Sequence, residues 1–309
     1  MDRRVSGGLM LVLALVAVLV VPKILNPSRL SGTASIAPPP PPPVVGDCLR
    51  EKVSGYEFSS SGELVSAGPS RVAPCSESHG SEIILVDAAL TTPAPNAANG
   101  VRPFDAVMER CWSRVQDLWH LGDPPPDNWW PRVEVDIGII GPDRWQAAAG
   151  QRWSACTLGK LNEELTGRVA DLAPTGGVPA AFGSCSTIVH GNELGGTWGQ
   201  GCAVPHNHED FGYRMLQVGS SLTQDELIRS CVDLLTRAIG RTGLATEPEL
   251  IVETEAYFWN SSGEGSATTL PLPSDADGGS ASCSVHTVGD RQLTGSLRQI
   301  GDAPLPWAP

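Results

Sequence analysis

The chain has 309 residues, enough for two domains of ordinary size, and is 41% hydrophobic and 18% charged. Its formal net charge is −13 and no basic stripe with interleaved aromatics occurs, which argues against nucleic acid and anionic lipid as partners. The 34 glycines and 27 prolines imply many turns and irregular connections.

At the N-terminus, Arg3 and Arg4 precede a run from Val5 to Pro22 that no charge interrupts. Its eighteen residues span roughly 27 Å as a helix, enough for a bilayer core. A cleaved signal peptide would need a small-x-small site directly after the run, and PKILNPSRL offers none. The expectation is an uncleaved membrane anchor over 5–22, with residues 1–4 cytoplasmic by the positive-inside rule. Lys23 and Arg29 weaken that rule, so the orientation rests on the cysteines. Residues 23–43 read as a tether ending in Pro38 to Pro43, a stiff polyproline II spacer.

All eight cysteines follow the tether: Cys48, Cys75, Cys111, Cys156, Cys185, Cys202, Cys231 and Cys283. No C-x-x-C occurs, which argues against a zinc ribbon or a thioredoxin-type site, and spread cysteines in an exported chain read as disulfides. Of the elements between them, SEIILV (81–86) and VEVDIGII (133–140) read as strands. FDAVMERCWSRVQDLW (104–119) and DELIRSCVDLLTRAIG (225–240) read as amphipathic helices with a cysteine on the apolar face, the second capped by Ser221 or Thr223.

The cysteines fall into two parallel sets of four. Gly46-Asp47-Cys48 matches Gly183-Ser184-Cys185, and Cys75-x3-His79-x2-Glu82 matches Cys202-x3-His206-x2-Glu209. Asp105 and Asp225 each lie six residues before a helical cysteine, and Trp145 and Trp259 precede the fourth cysteines. Leu165-Thr166-Gly167 and Leu293-Thr294-Gly295 close the sets. Five matches in one order indicate an internal duplication. The expected fold is α+β: two tandem small disulfide-bonded domains, 44–175 and 183–304, joined by a linker at 176–182. Each would place one main helix on a short antiparallel sheet. Confining bridges to each repeat leaves nine pairings; first-to-second and third-to-fourth is favoured, because the first two cysteines flank a hairpin region and the last two join helix to strand.

The first repeat resembles the actinobacterial septum-formation-related domain. That pattern runs G-D-C, then C-x-x-P-H-x-x-E, a lone Cys, and W-x-x-G-x-R before the last Cys, which WQAAAGQRWSAC (145–156) follows. Ser78 replaces the proline before His79. The second repeat keeps Pro205-His206 but has Ser184 for the Asp and no clear G-x-R before Cys283. The resemblance covers nearly all of 44–300. It implies an anchored or exported protein acting in septum formation and cell division, with cell-wall or divisome proteins as partners.

His79/Glu82 and His206/Glu209 are candidate metal ligands, yet each pair needs more donors. The first repeat adds only His120, whereas His208 and Asp210 make the second repeat the better candidate. The favoured reading is a structural brace, an imidazole and a carboxylate hydrogen-bonded at the mouth of a disulfide. No nucleophile elbow, free thiol or phosphate loop is present, so no catalytic residue and no cofactor is expected. Trp129-Trp130, in a proline-bounded loop, is a candidate binding patch. The expected function is a non-enzymatic, single-pass envelope protein whose folded part lies outside the membrane. The alternatives are a ligand-binding module for wall glycan or peptide, and a metal-dependent envelope enzyme.

Overall fold

The structure is a computed structural model. It describes residues 38–53, 57–58, 64–65, 71–87, 103–122, 128–172, 177–189, 192–261 and 265–309. The expected N-terminus at 1–4, the anchor at 5–22 and the tether as far as residue 37 lie outside the described residues. Among the described residues no helix is long and apolar enough to cross a membrane.

In chain order the elements are β1 (Cys48–Leu49), β2 (Glu57–Phe58), β3 (Leu64–Val65), β4 (Val72–Ala73), β5 (Ser81–Asp87), α1 (Pro103–Leu118), β6 (Trp130–Pro131), β7 (Val135–Ile140), α2 (Arg144–Ala148) and β8 (Ser154–Lys160). They continue with β9 (Ser184–Val189), β10 (Asn192–Gln200), β11 (His208–Leu216), α3 (Gln224–Ile239), β12 (Leu250–Trp259), β13 (Gly265–Thr268) and β14 (Gly278–Thr287). The class is α+β, as the periodicity predicts. Both long helices fall within a residue of their expected bounds. Thr223 is the cap of α3, in a reciprocal box with Glu226, and Gly240 ends the helix in the left-handed region.

Strand order repeats across the chain. The first sheet runs β4-β1-β5-β8-β7 and the second β10-β9-β11-β14-β12-β13, with every pairing antiparallel. Register repeats too. Cys48 stands opposite Glu82, and Cys185 opposite Glu209. The ladder slips between Ile83 and Leu85 in one sheet and between Asp210 and Gly212 in the other. Those slips are the same bulge, one extra residue that turns Ile84 and Phe211 into their cores.

Four disulfides staple this frame: Cys48–Cys75, Cys111–Cys156, Cys185–Cys202 and Cys231–Cys283. This is the pairing favoured from the sequence, and no free cysteine remains. One bridge of each half ties the turn after an edge strand to the next strand. The other ties the main helix to the sheet. Each contributes about 2–4 kcal/mol, chiefly by restricting the unfolded chain. Such bridges fit an oxidising, extracytoplasmic environment.

Each helix buries a four-residue repeat: Val107, Cys111 and Val115 on α1; Leu227, Cys231, Leu235 and Ile239 on α3. The first stripe packs on Ile84, Ile139 and Leu158, the second on Phe211, Leu250 and Val285. Within the expected linker at 176–182, Val178 and Phe182 are buried in the first core, with Phe182 against the Trp119 ring at 5.1 Å between centroids.

The halves also share a strand. β6, from the first half, pairs with β11 through Gly212↔Pro131 and Tyr213↔Trp130. It continues the edge where β9, paired only with residues 208–210, runs out. Just before it Trp129 is 1% exposed in the second core, its indole N–H donating to Ser230 Oγ at 3.0 Å. Residues Pro41–Pro309 accordingly form one compact unit.

Candidate functional site

The duplicated Cys-x3-His-x2-Glu motif folds into the same corner twice. In the first half, the turn after Cys75 brings Glu77 N–H to Pro74 O at 3.0 Å. His79 Nδ1 then bonds the Glu77 carbonyl at 2.9 Å, while its backbone forms an isolated two-way bridge with Leu165. One strand turn on, Glu82 accepts the Val169 N–H at 2.6 Å. The second half repeats each contact. His206 Nδ1 bonds Val204 O at 2.8 Å, His206 bridges Leu293, and Glu209 accepts the Leu297 N–H at 2.7 Å.

The brace therefore differs from the expected one. Imidazole and carboxylate do not bond each other, because strand geometry sends them to separate targets. Both hold one segment, 165–169 or 293–297, and this explains why Leu-Thr-Gly recurs. The glycine of the G-x-C triplet belongs to the corner as well. A Cβ on Gly183 would sit 2.8 Å from Cys202 Sγ and 2.9 Å from Glu209 Oε1.

Burial pushes the Glu82 and Glu209 carboxyls up; the Val169 N–H opposes it for Glu82, and chiefly Arg298 for Glu209. Arg298 marks the largest difference between the corners. Its side chain is buried, with Nε 3.7 Å from Glu209 Oε1 and its guanidinium 4.7 Å over the Phe211 ring. Its Nη2 donates to the carbonyls of Arg132, Asp210 and Phe211. It thereby clamps the first half's crossing segment onto the second sheet. Ser296 Oγ completes the site by donating to Glu209 at 2.5 Å. Arg298 belongs to no motif in the sequence, and its one signal there is a cationic residue five positions after Leu293.

The candidate metal ligands His206, His208 and Glu209 do not converge. Alternation along β11 turns Glu209 toward the core and sends His208 and Asp210 to the opposite face. There His208 Nδ1 meets Ser186 Oγ at 2.9 Å, and His286 Nδ1 bonds Glu253 at 3.1 Å. Burial, with the neighbouring His286, pulls the His208 imidazole down to about 4. Burial also raises Asp210 to about 6 against the pull of Arg132 and Arg298. Among the described residues one cluster with ligand spacing exists, Cys185, Cys202 and His206, and its two sulfurs are bonded to each other. His120 lies on the exposed turn after α1, away from any such group.

The Trp129-Trp130 patch is divided. Trp129 is unavailable to a ligand, being the buried peg described above. Trp130 is half-buried and faces a cleft of about 500 Å³ at the junction of the halves. Trp112 from α1 and Tyr213 from β11 line it, 40% and 39% exposed, with Gln116, Arg132 and Glu134 beside them. Trp130 and Tyr213 are direct cross-strand partners and share one face. Trp119 also lines the cleft, and its buried indole N–H meets no acceptor among the described residues. Comparison of the chain with protein-family models, curated proteins and solved structures found no match.

Proposed function

We propose that the chain is a non-catalytic interaction protein of the cell envelope, held at the membrane by residues 5–22 and carrying two copies of one disulfide-bonded domain of the septum-formation-related kind. The tether over 23–43 lets the folded part meet wall or divisome partners. One observation carries the non-catalytic reading: every residue of the duplicated motif is engaged in holding the fold, through the same backbone contacts and bridge in both halves. A shared strand order and a shared bulge support duplication of a whole domain. Dispersal of His206, His208 and Glu209 removes the support for a metal-dependent enzyme.

The contact face in this reading is the cleft between the halves. It lies within the usual size range of ligand sites and combines aromatic rings with a few polar groups. The α3 residue at the place of Trp112 is Val232, so the first half alone supplies this ring. Rings flanked by amide, guanidinium and carboxylate groups suit a saccharide, whose C–H faces stack while its hydroxyls bond. The net charge of −13 disfavours polyanionic wall polymers and favours neutral glycan.

The test is crosslinking and co-purification of the full chain from membranes, with soluble wall glycan fragments as competitor. A Trp112→Ala/Tyr213→Ala variant is expected to lose its partners and at least tenfold in glycan affinity while folding normally. Undiminished capture by that variant would remove the cleft from the proposal.

A further inference from the structure

His79 and His206 share an unusual condition. Each imidazole is fully buried, each uses Nδ1 on a backbone carbonyl two residues upstream, and each leaves Nε2 buried with no partner among the described residues. An unpaired buried polar atom is a standing cost to the fold, and here it occurs at the same place twice. The Nδ1 bond fixes the tautomer: Nδ1 carries the proton and Nε2 is a bare acceptor. In the second half an imidazole nitrogen and the sulfurs of Cys185 and Cys202 all lie within 4.8 Å of one another. The ring that carries the vacant acceptor therefore sits beside two sulfurs that were thiols before the bond closed.

We propose that His206 is the internal base for closing the Cys185–Cys202 disulfide. The oxidant is an external disulfide, such as oxidised glutathione or an oxidoreductase. The Cys202 thiolate attacks one of its sulfurs, forming a mixed disulfide and expelling the first thiolate. The Cys185 thiol passes its proton to His206 Nε2, and the new thiolate attacks the Cys202 sulfur. The intramolecular bond forms, the second external thiolate departs, and the imidazolium proton leaves with it. Two protein thiols are oxidised and one external disulfide is reduced to two thiols. With no thiol left to donate, Nε2 is orphaned, as observed.

The surroundings suit this role. The titratable and charged groups around the corner are His208 and Glu209 on β11 and Arg298 on the closing segment; β9 brings Ser184 and Cys185. Burial, with His208 adding a little, holds the His206 imidazole below its ordinary value and so keeps it neutral. Cys231–Cys283, the helix-to-sheet bridge, provides an internal control: among the described residues no imidazole is grouped with its sulfurs.

The experiment refolds the full chain, reduced and in detergent, with oxidised glutathione. Acid quenching, alkylation and peptide mass spectrometry then time each bridge. His206→Asn is the informative variant, because its amide keeps an N–H at the Nδ1 position and has nothing at Nε2. Closure of Cys185–Cys202 is expected to slow five- to tenfold at pH 6.5. The gap should vanish by pH 9, where thiols with an ordinary pKa near 8.5 ionise unaided. Cys231–Cys283 should close at the wild-type rate and report that the variant folds. His79→Asn should leave Cys48–Cys75 at the wild-type rate, because that imidazole is not grouped with its sulfurs; a slowdown there would mark a packing role for both histidines. Equal rates at pH 6.5 would overturn the proposal. So would a slowdown that persists unchanged at pH 9, since that marks a packing role.

Discussion

The two sheets share order, bulge and corner, yet they differ on the face turned away from the main helix. In the first half that face carries Leu49, Ile83, Ile140 and Ala155, closed over by Val53 and Trp153. The matching register positions in the second half are Ser186, Asp210, Glu255 and Ser282, and His208, His286 and Glu253 stand where the first half has Ser81, Gly159 and Gly138. One frame thus supports an apolar second core in one half and an ionisable face in the other. The lesson concerns where stability resides. Helix face, staples and corner hold each sheet, and the remaining face is free to change its chemistry.

The largest test of that contrast concerns what the second half acquired in exchange. Trp129→Ala should cost about 3–5 kcal/mol in urea denaturation, the range for emptying a buried aromatic site. The loss should appear as faster amide exchange in β11 and α3, with β5 and α1 little changed. Arg298→Ala should cost about 3–5 kcal/mol, because Glu209 is left buried without its countercharge. The first half already has Ala170 at that position, so a double Arg298→Ala/Glu209→Gln variant should recover part of the loss.

Next in size is the pH response of the polar face. Unfolded, His208 takes a proton near 6.5; folded, it waits until about 4. Its contribution is therefore present above 6.5 and is lost as pH falls toward 4. Asp210 runs the other way. Folded, it takes a proton near 6, and unfolded near 3.8, so its contribution is full below 3.8 and is lost as pH rises through 6. Each shift corresponds to about 3 kcal/mol. His208→Gln should gain on the wild type by that order as pH falls from 6.5 to 4, and Asp210→Asn should lose by that order. Glu82 and Glu209, raised by burial in both halves, contribute the same sense on each side. Thermal melts across pH 4–7 check the signs; variants parallel to wild type would remove the ionisable face from the comparison.

The smallest effect concerns Trp112, exposed on α1 at the place of Val232. Trp112→Val should leave stability within about 0.5 kcal/mol, as for surface substitutions away from special features. It makes the cleft wall of the first half like the second.

Local pattern made much of this legible. Helical stripes, strand runs and evenly matched cysteines are short-range signals, and they carried the class, the bridges and the duplicated corner. The carboxylate's target was hidden because Val169 and Leu297 lie about ninety residues from Glu82 and Glu209. His208 and Asp210, expected beside the His206/Glu209 pair, lie on the opposite face of β11. Period-two alternation about a core-facing Glu209 would have turned them outward. Trp129 read as a loop residue because prolines and polar residues flank it, and its partner Ser230 is 101 positions away. Nothing local announces a strand that completes a different sheet.

Strand β6 makes the two halves unequal in what they can lose. The first sheet keeps all five of its strands without residues 130–131, whereas β11 of the second relies on them for part of its edge. A lesion at Trp129–Pro131 therefore does its damage far along the chain, as an open ladder edge and an emptied site in the core that follows.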